Sequence, residues 1–325
     1  DGTEESVTGT TDKIRFTLAV PEGADTTKSF VVARIYNGKF DGWLEDLDDN
    51  PYTVTIETDR FSEYIIHSVE IVTDEEIRER GVLRTGNLNR LNRVMEKAKR
   101  GEEITIAYLG GSITNGSSAV PKEKNCYAYL TTEWWKEKFP QTKINYVNVG
   151  IGATDSYLGV HRVASDVLAE DPDLVVVEFC VNDSRSHNQE SYESLLRRIF
   201  QYRTEPAVVG LFLTHFEGRV CSDWSEQHGE IAAYYDIPVV SYRDVVKPRL
   251  EDGSLEWTKI GPADDLTHPN NAGHKIISRC MTYFFGQVLV DTGKTYGDYS
   301  AWQMKQDPVT PSRYENGILL DNRSG

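Results

Sequence analysis

The chain is 325 residues long with 39% hydrophobic residues, enough for a substantial core and for more than one domain. Its formal net charge of −16 repels phosphate backbones and anionic lipid surfaces, so nucleic acid is not an expected partner and neutral substrates, such as uncharged glycans or esters, are favoured. No apolar run is long enough to span a bilayer, and Cys126, Cys180, Cys221 and Cys280 form no C-x-x-C pair, so membrane insertion, a zinc site and a disulfide scaffold are not expected.

Residues 1–75 read as a small accessory domain. "KIRFTLAV", "SFVVARIY", "YTVTIET" and "SEYIIHSVEI" are β-branched and aromatic with partial alternation, and "PEGAD" and "DLDDNP" punctuate them. This pattern predicts an antiparallel, sandwich-like β unit with no chemistry of its own. The charged stretch "TDEEIRERG" reads as the connection to a second domain over residues 76–290. There Leu88, Leu91, Met95 and Ala98 recur at helical spacing, and the strand "EITIAYL" follows. "KINYVNV", "DLVVVEFC", "AVVGLFLT" and "IPVVS" are further near-continuous apolar runs, as strands of a parallel sheet covered on both faces should be. Val160, Val163 and Val167 form one helical stripe between them; Leu195, Leu196 and Ile199 contribute to another. Trp134 and Trp135 stand at helical spacing, one of them expected in the core. A last helix carries Ile277, Cys280, Met281 and Phe284. The fold class is therefore α/β, a three-layer α/β/α domain with right-handed crossovers. Residues 291–325 are polar and irregular, and Tyr296, Tyr299 and Trp302 predict that this segment packs back on the domains.

Ligand sites in an open parallel sheet lie at the C-terminal ends of its strands. The first strand ends in "GGS" and delivers Ser112; the second runs into "NVGIGATDS" with Gly150 and Gly152; the third ends in "CVNDS" with Asn182. The fourth delivers Thr214 and His215, and "DDLTHPNNAGH" brings Asp265 and His268 just before the last helix. Pro269 suits the first position of that helix. A serine hydroxyl needs a base to become a nucleophile. His268 can be that base, with Asp265 holding its far ring nitrogen. The attacked carbonyl becomes an oxyanion that needs preorganised donors. The N–H groups of Ser112 and Gly152 and the side-chain amide of Asn182 meet that need. These are the parts of a serine hydrolase: catalytic Ser112, His268 and Asp265, with Ser112, Gly152 and Asn182 as the oxyanion hole. No cofactor or metal is required.

The blocks "GGSITNG", "NVGIGATDS", "CVND" and "DLTHPN" resemble those of the SGNH (GDSL-like) hydrolases over about residues 100–290. The resemblance implies a flavodoxin-like sandwich, with Ser112 as nucleophile, a glycine of the second block and Asn182 as oxyanion donors, and Asp265 and His268 completing a triad. The chain departs from the family's usual pattern at two places: Gly111 replaces the aspartate of G-D-S, and Cys180 replaces a glycine two before Asn182. Gly152 is the preferred oxyanion glycine, with Gly150 as the alternative. "YLTTEWWKEKFP", "NVGIGATDSYLGVHRV" and "LVVVEFCVND" look like a bacterial branch of carbohydrate esterases, in which attached β domains are common; the resemblance implies removal of acetyl groups from a glycan. The alternatives are a lipase, thioesterase or lysophospholipase and, in a different class, an inactive glycan-binding protein.

His215, Gly150 and Asp183 are further candidate substrate-binding positions; for His215 a hydrogen-bonded loop histidine is the alternative. His161 and Arg162 read as a solvated helix face. Glu226 and His228 fall in a helical pattern and do not read as metal ligands. Glycosylation at the acceptor-like "NDS" of Asn182 would destroy the oxyanion hole, which disfavours a eukaryotic secretory route. The expected setting is extracellular or at a bacterial cell surface, with the cytoplasm left open. Residue 1 is Asp, so the natural N-terminus is missing and a removed signal peptide is left open.

Overall fold

In the computed structural model, which describes residues 9–291 and 307–319 apart from 49, 51, 62, 218 and 219, the chain divides into two units, Asp1–Thr73 and Asp74–Gly325. In the first, β1 (Gly9–Ala19), β2 (Ser29–Tyr36), β3 (Lys39–Glu45), β4 (Thr53–Arg60) and β5 (Glu63–Val69) form two antiparallel sheets, β1-β4 and β3-β2-β5. Period-two alternation turns Val54 and Ile56 of one sheet and Phe30 and Val32 of the other into a shared core, lined by Phe16, Leu44, Tyr64 and Ile66. The β2–β3 turn is Asn37-Gly38, both at positive φ (50° and 72°), the backbone that a tight hairpin demands. The expected small β sandwich is therefore present.

The second unit opens with α1 (Asp74–Arg80), where a charged connection was expected; only Ile77 is buried, so the helix has little apolar signature. Next come β6 (Val82–Arg84), α2 (Asn89–Lys99), β7 (Ile104–Gly110), α3 (Ser112–Asn115), α4 (Lys122–Asn125), α5 (Tyr127–Lys138) and β8 (Ile144–Asn148). They are followed by α6 (Ser156–Asp166), β9 (Leu174–Glu178), α7 (Ser186–Phe200), β10 (Ala207–Phe212), the short hairpin β11 (His215–Glu217) and β12 (Val220–Ser222), and α8 (Ser225–Tyr234). The last elements are β13 (Val239–Ser241), α9 (Tyr242–Asp252) and α10 (Asn271–Asp291). The central sheet runs β6-β13-β10-β9-β7-β8; only β6 is antiparallel.

Taken in chain order, the five parallel strands stand 2-1-3-4-5, which is the flavodoxin-like order. β7, β9 and β10 are buried along their whole length, because helices cover both faces: α2, α5 and α10 on one side, α6, α7 and α8 on the other. The strand order reverses between β7 and β9, and the C-terminal edge at such a reversal is where open α/β sheets place their ligands. Both strands feed it directly.

Pro269 does not begin the last helix. Asn270 precedes α10, and its side-chain oxygen accepts the N–H groups of Ala272 (2.9 Å) and Gly273 (3.1 Å). An asparagine cap satisfies orphan amides that proline would leave bare, so the helix starts two residues later than expected. Residues 307–319 lie along α7: Arg313 pairs with Glu190, and Glu193 accepts the N–H groups of Val309 and Thr310. Tyr314 stands edge-on to Tyr157 at 5.2 Å. Tyr296, Tyr299 and Trp302 lie outside the described residues.

Candidate active site

β7 ends at Gly110, and the chain turns at once into α3, whose first residue is Ser112. Neither Gly110 nor Gly111 has a left-handed φ; Gly111 sits at −88°. Space rather than backbone freedom requires them. A Cβ at Gly110 would fall 2.2 Å from Thr114 Oγ1, and one at Gly111 would fall 2.2 Å from Asn182 Oδ1. The aspartate that the family pattern carries at position 111 therefore has no room here unless Asn182 moves.

Ser112 is 8% exposed. Its Oγ lies 2.7 Å from His268 Nε2, and His268 Nδ1 lies 2.6 Å from Asp265 Oδ2. The other carboxylate oxygen of Asp265 accepts the N–H groups of Thr267 (3.0 Å) and His268 (3.1 Å). Burial opposes the charge on Asp265, but the His268 ring and these two amides outweigh it and hold the carboxyl below its ordinary range. A chain of three side chains from two distant loops thus links an acid, a base and a hydroxyl.

The loop that carries Asp265 and His268 rests on Trp257, which is buried and donates its indole N–H to the carbonyls of Pro262 (3.0 Å) and Asp265 (2.9 Å). Phe216 of β11 stacks on that indole, and its N–H donates to Leu266 O at 2.9 Å. On the other side His274 receives the N–H of Tyr127 at Nδ1 (3.2 Å) and faces Ser117 O through Nε2 (3.1 Å). Burial pushes His274 down to about 4, so it stays neutral and ties α10 to the segment after the nucleophile. Sequence reasoning misses all three residues. Trp257 lies in a polar stretch, the one visible signal.

Gly152 and Gly150 differ sharply. The N–H of Gly150 donates to Asn148 Oδ1 (3.0 Å) and its carbonyl accepts from Asn115 Nδ2 (2.8 Å). A Cβ there would sit 2.2 Å from Asn115 N, so Gly150 braces two loops against each other. Gly152 faces the serine: a Cβ on it would stand 3.8 Å from Ser112 Cβ. Asn182 is half-buried, with its side chain beside Gly111.

Two expectations are corrected. Asp183 does not face substrate: it is 1% exposed, and its carboxylate accepts Ser156 N and His228 Nε2, each at 2.8 Å. A buried carboxylate needs such partners, and here they fasten α6 and α8 to the loop after β9. Arg162 is not on a solvated face; it is 1% exposed and donates to Val149 O (2.7 Å) and Gly110 O (3.2 Å). His161 is half-buried against Tyr157 and Tyr314. His215, on β11, lies 3.9 Å from Glu217 and does not join the Ser112–His268–Asp265 chain. His228 stacks on Tyr192 at 3.7 Å. Cys180 exchanges hydrogen bonds with both the N–H and the carbonyl of Leu213, which accounts for a thiol where the family has glycine. Among the described residues, no three His, Cys, Asp or Glu side chains are grouped to hold a metal ion.

Residues 108–276 match the family model of GDSL-like lipases and acylhydrolases. An acetylxylan esterase of Geobacillus stearothermophilus is 23% identical over 215 residues, which are 56% of this chain and 94% of that protein. Two solved structures of a two-domain esterase active on acetylated mannans, one co-crystallized with mannopentaose, superpose with a TM-score of 0.68 at 38% and 39% identity. They cover 74% and 75% of this chain, and the match spans 62% and 64% of the solved chains, less than two thirds of that esterase.

Proposed function

Since the chain belongs to the GDSL-like lipase/acylhydrolase family, we propose that it is a serine ester hydrolase that removes acetyl groups from a glycan. The observation that carries this reading is the continuous hydrogen-bonded chain from Asp265 through His268 to Ser112, at 2.6 and 2.7 Å. His268 takes the Ser112 proton as Oγ attacks the ester carbonyl, and Asp265 stabilises the imidazolium that forms. The N–H groups of Ser112 and Gly152 and the Asn182 amide receive the oxyanion. Collapse breaks the bond to the sugar oxygen, which takes the proton from His268 as it leaves and departs as the free hydroxyl, and an acetyl ester remains on Ser112. His268 then takes a proton from water as the water attacks this ester, and gives it to Ser112 Oγ as acetate leaves. The acetyl preference draws its support from the acetylxylan esterase and the acetylmannan esterase among the similar proteins. The net charge of −16 suits a neutral polymer. Such a substrate would place the reaction outside the cell or at its surface.

The test is hydrolysis of p-nitrophenyl acetate, butyrate and octanoate, followed by acetate release from acetylated mannan and xylan. Turnover that falls with acyl length and persists on the polymers is expected. A preference for octanoate would instead favour a lipase or thioesterase. Within this reading Asn182→Ala should lower kcat by roughly 100- to 1000-fold with little change in KM, because the amide is needed only once charge develops.

A further inference from the structure

The molecule holds a second buried histidine–aspartate couple, outside the proposed triad and next in sequence to an oxyanion donor. Asn182 and Asp183 sit in the turn that follows β9, and their N–H groups share one acceptor, the carbonyl of Phe179 (3.0 and 2.9 Å). Such a turn does little to fix its own orientation. The Asp183 carboxylate reaches out of it in two directions. Oδ1 accepts the N–H of Ser156, the first residue of α6, and Oδ2 accepts from His228 Nε2, each at 2.8 Å. Ser156 follows the loop that carries Gly152. Asp183 and His228 are each 1% exposed, and the His228 ring lies flat on Tyr192 at 3.7 Å and 2°. Asn182 has no slack either, for its Oδ1 abuts Gly111. One step further out, Asn188 accepts the N–H groups of Ser184 (3.1 Å) and Arg185 (2.8 Å) and donates to Asp155 (3.2 Å).

We propose that Asp183 is a positioning residue that seats the Asn182 amide in the oxyanion hole, and that His228 holds the Asp183 carboxylate to this task. The role presupposes that Asn182 receives the oxyanion, as proposed above. An oxyanion donor works only when it is aimed at the point where charge develops, about 3 Å away. A misplacement of about 1 Å can cost about 100-fold in rate. The aim of Asn182 follows its backbone, and its backbone follows Asp183.

The two anchors are rigid for different reasons. The Ser156 N–H is one of the orphan amides at a helix start, where the helix dipole also favours a carboxylate. His228 donates from Nε2, since a carboxylate oxygen accepts, and its ring cannot turn away without leaving Tyr192. Stability alone is a poor reason for the couple, because apolar side chains of similar volume often serve as well as buried ionic groups. An apolar side chain could fill the space, but it could not tie the turn to a helix amide.

Kinetics with p-nitrophenyl acetate, expressed per mole of folded protein, test this role. Asp183→Ala should lower kcat by roughly 10- to 100-fold with KM little changed. Asp183→Asn should stay within about fivefold of the wild type, because its carbonyl oxygen can accept from Ser156 and its NH₂ can donate to His228 Nε2 once the imidazole proton moves to Nδ1. In an Asn182→Ala background, Asp183→Ala should cost less than about threefold, since no amide is left to aim. Losses that multiply in the double variant would mean that Asp183 serves the fold and not Asn182. An unchanged kcat in Asp183→Ala, or an Asp183→Asn as slow as Asp183→Ala, would also overturn the role.

If Asp183→Ala does not fold, Ser156→Pro decides. Proline is at home in the first position of a helix, and Asp155 before it is already extended (φ −103°, ψ 178°). The substitution removes the N–H that Asp183 accepts and should slow kcat by roughly 10- to 100-fold. Ser156→Ala keeps that N–H and should remain near the wild type; equal rates for the two would sink the role. An Asn182→Ala with unchanged kcat would refute the oxyanion reading itself. A slow Asn182→Ala beside an unaffected Asp183→Ala would refute the positioning role alone.

Discussion

Ser112→Ala should reduce kcat for p-nitrophenyl acetate by about a million-fold, the scale of losing a nucleophile whose base and orienting acid act with it as one unit. The substitution removes one oxygen from an 8% exposed side chain, and that oxygen's hydrogen bond runs to His268 Nε2. No packing atom is lost, so the melting temperature should stay within a few degrees of the wild type. Any residual rate would come from the oxyanion donors and substrate binding alone. Turnover and a thermal melt on the same sample separate the two effects. A variant that melts normally and still turns over acetate would leave the hydroxyl without a chemical role.

The second large effect belongs to Asp265. Asp265→Asn should lower kcat by about ten-thousand-fold. The reason lies in what each oxygen does. Oδ1 accepts two backbone N–H groups and Oδ2 faces His268 Nδ1. An asparagine can keep the backbone contacts with its carbonyl oxygen, and then points an NH₂ at Nδ1. That forces the proton onto Nε2, where it can no longer accept from Ser112. The loop geometry survives and the tautomer is wrong. In the wild type the carboxyl is held below its ordinary value, so it stays ionised while pH falls through the acid limb and does not contribute to that limb. Rates of the variant across pH, with a crystal structure to establish the unchanged loop, would check this. A loss of tenfold or less would mean that Asp265 only braces the loop.

Much of the fold is legible in the sequence because the sheet is covered on both faces. Ile104–Gly110, Leu174–Glu178 and Ala207–Phe212 are buried at every position, and runs of that kind betray themselves. β6 does not, for it is three residues long and pairs antiparallel at the edge. The β11–β12 hairpin is equally short, so the sequence makes His215 look like a strand end. For the candidate site, the order of the blocks names Ser112, Asn182, Asp265 and His268. What brings the first two together is the reversal of strand order between β7 and β9, which a linear pattern does not contain. Arg162 reads as solvated because periodicity assigns charge to the outside, whereas strand-end carbonyls draw it in.

The most direct test of the account is where a fluorophosphonate attaches. The wild-type enzyme, incubated with the probe and mapped by peptide mass spectrometry, should carry a single adduct on Ser112, formed in step with the loss of acetate release from acetylated mannan. An adduct on another residue that abolishes activity, or full labelling of Ser112 with activity intact, would contradict it.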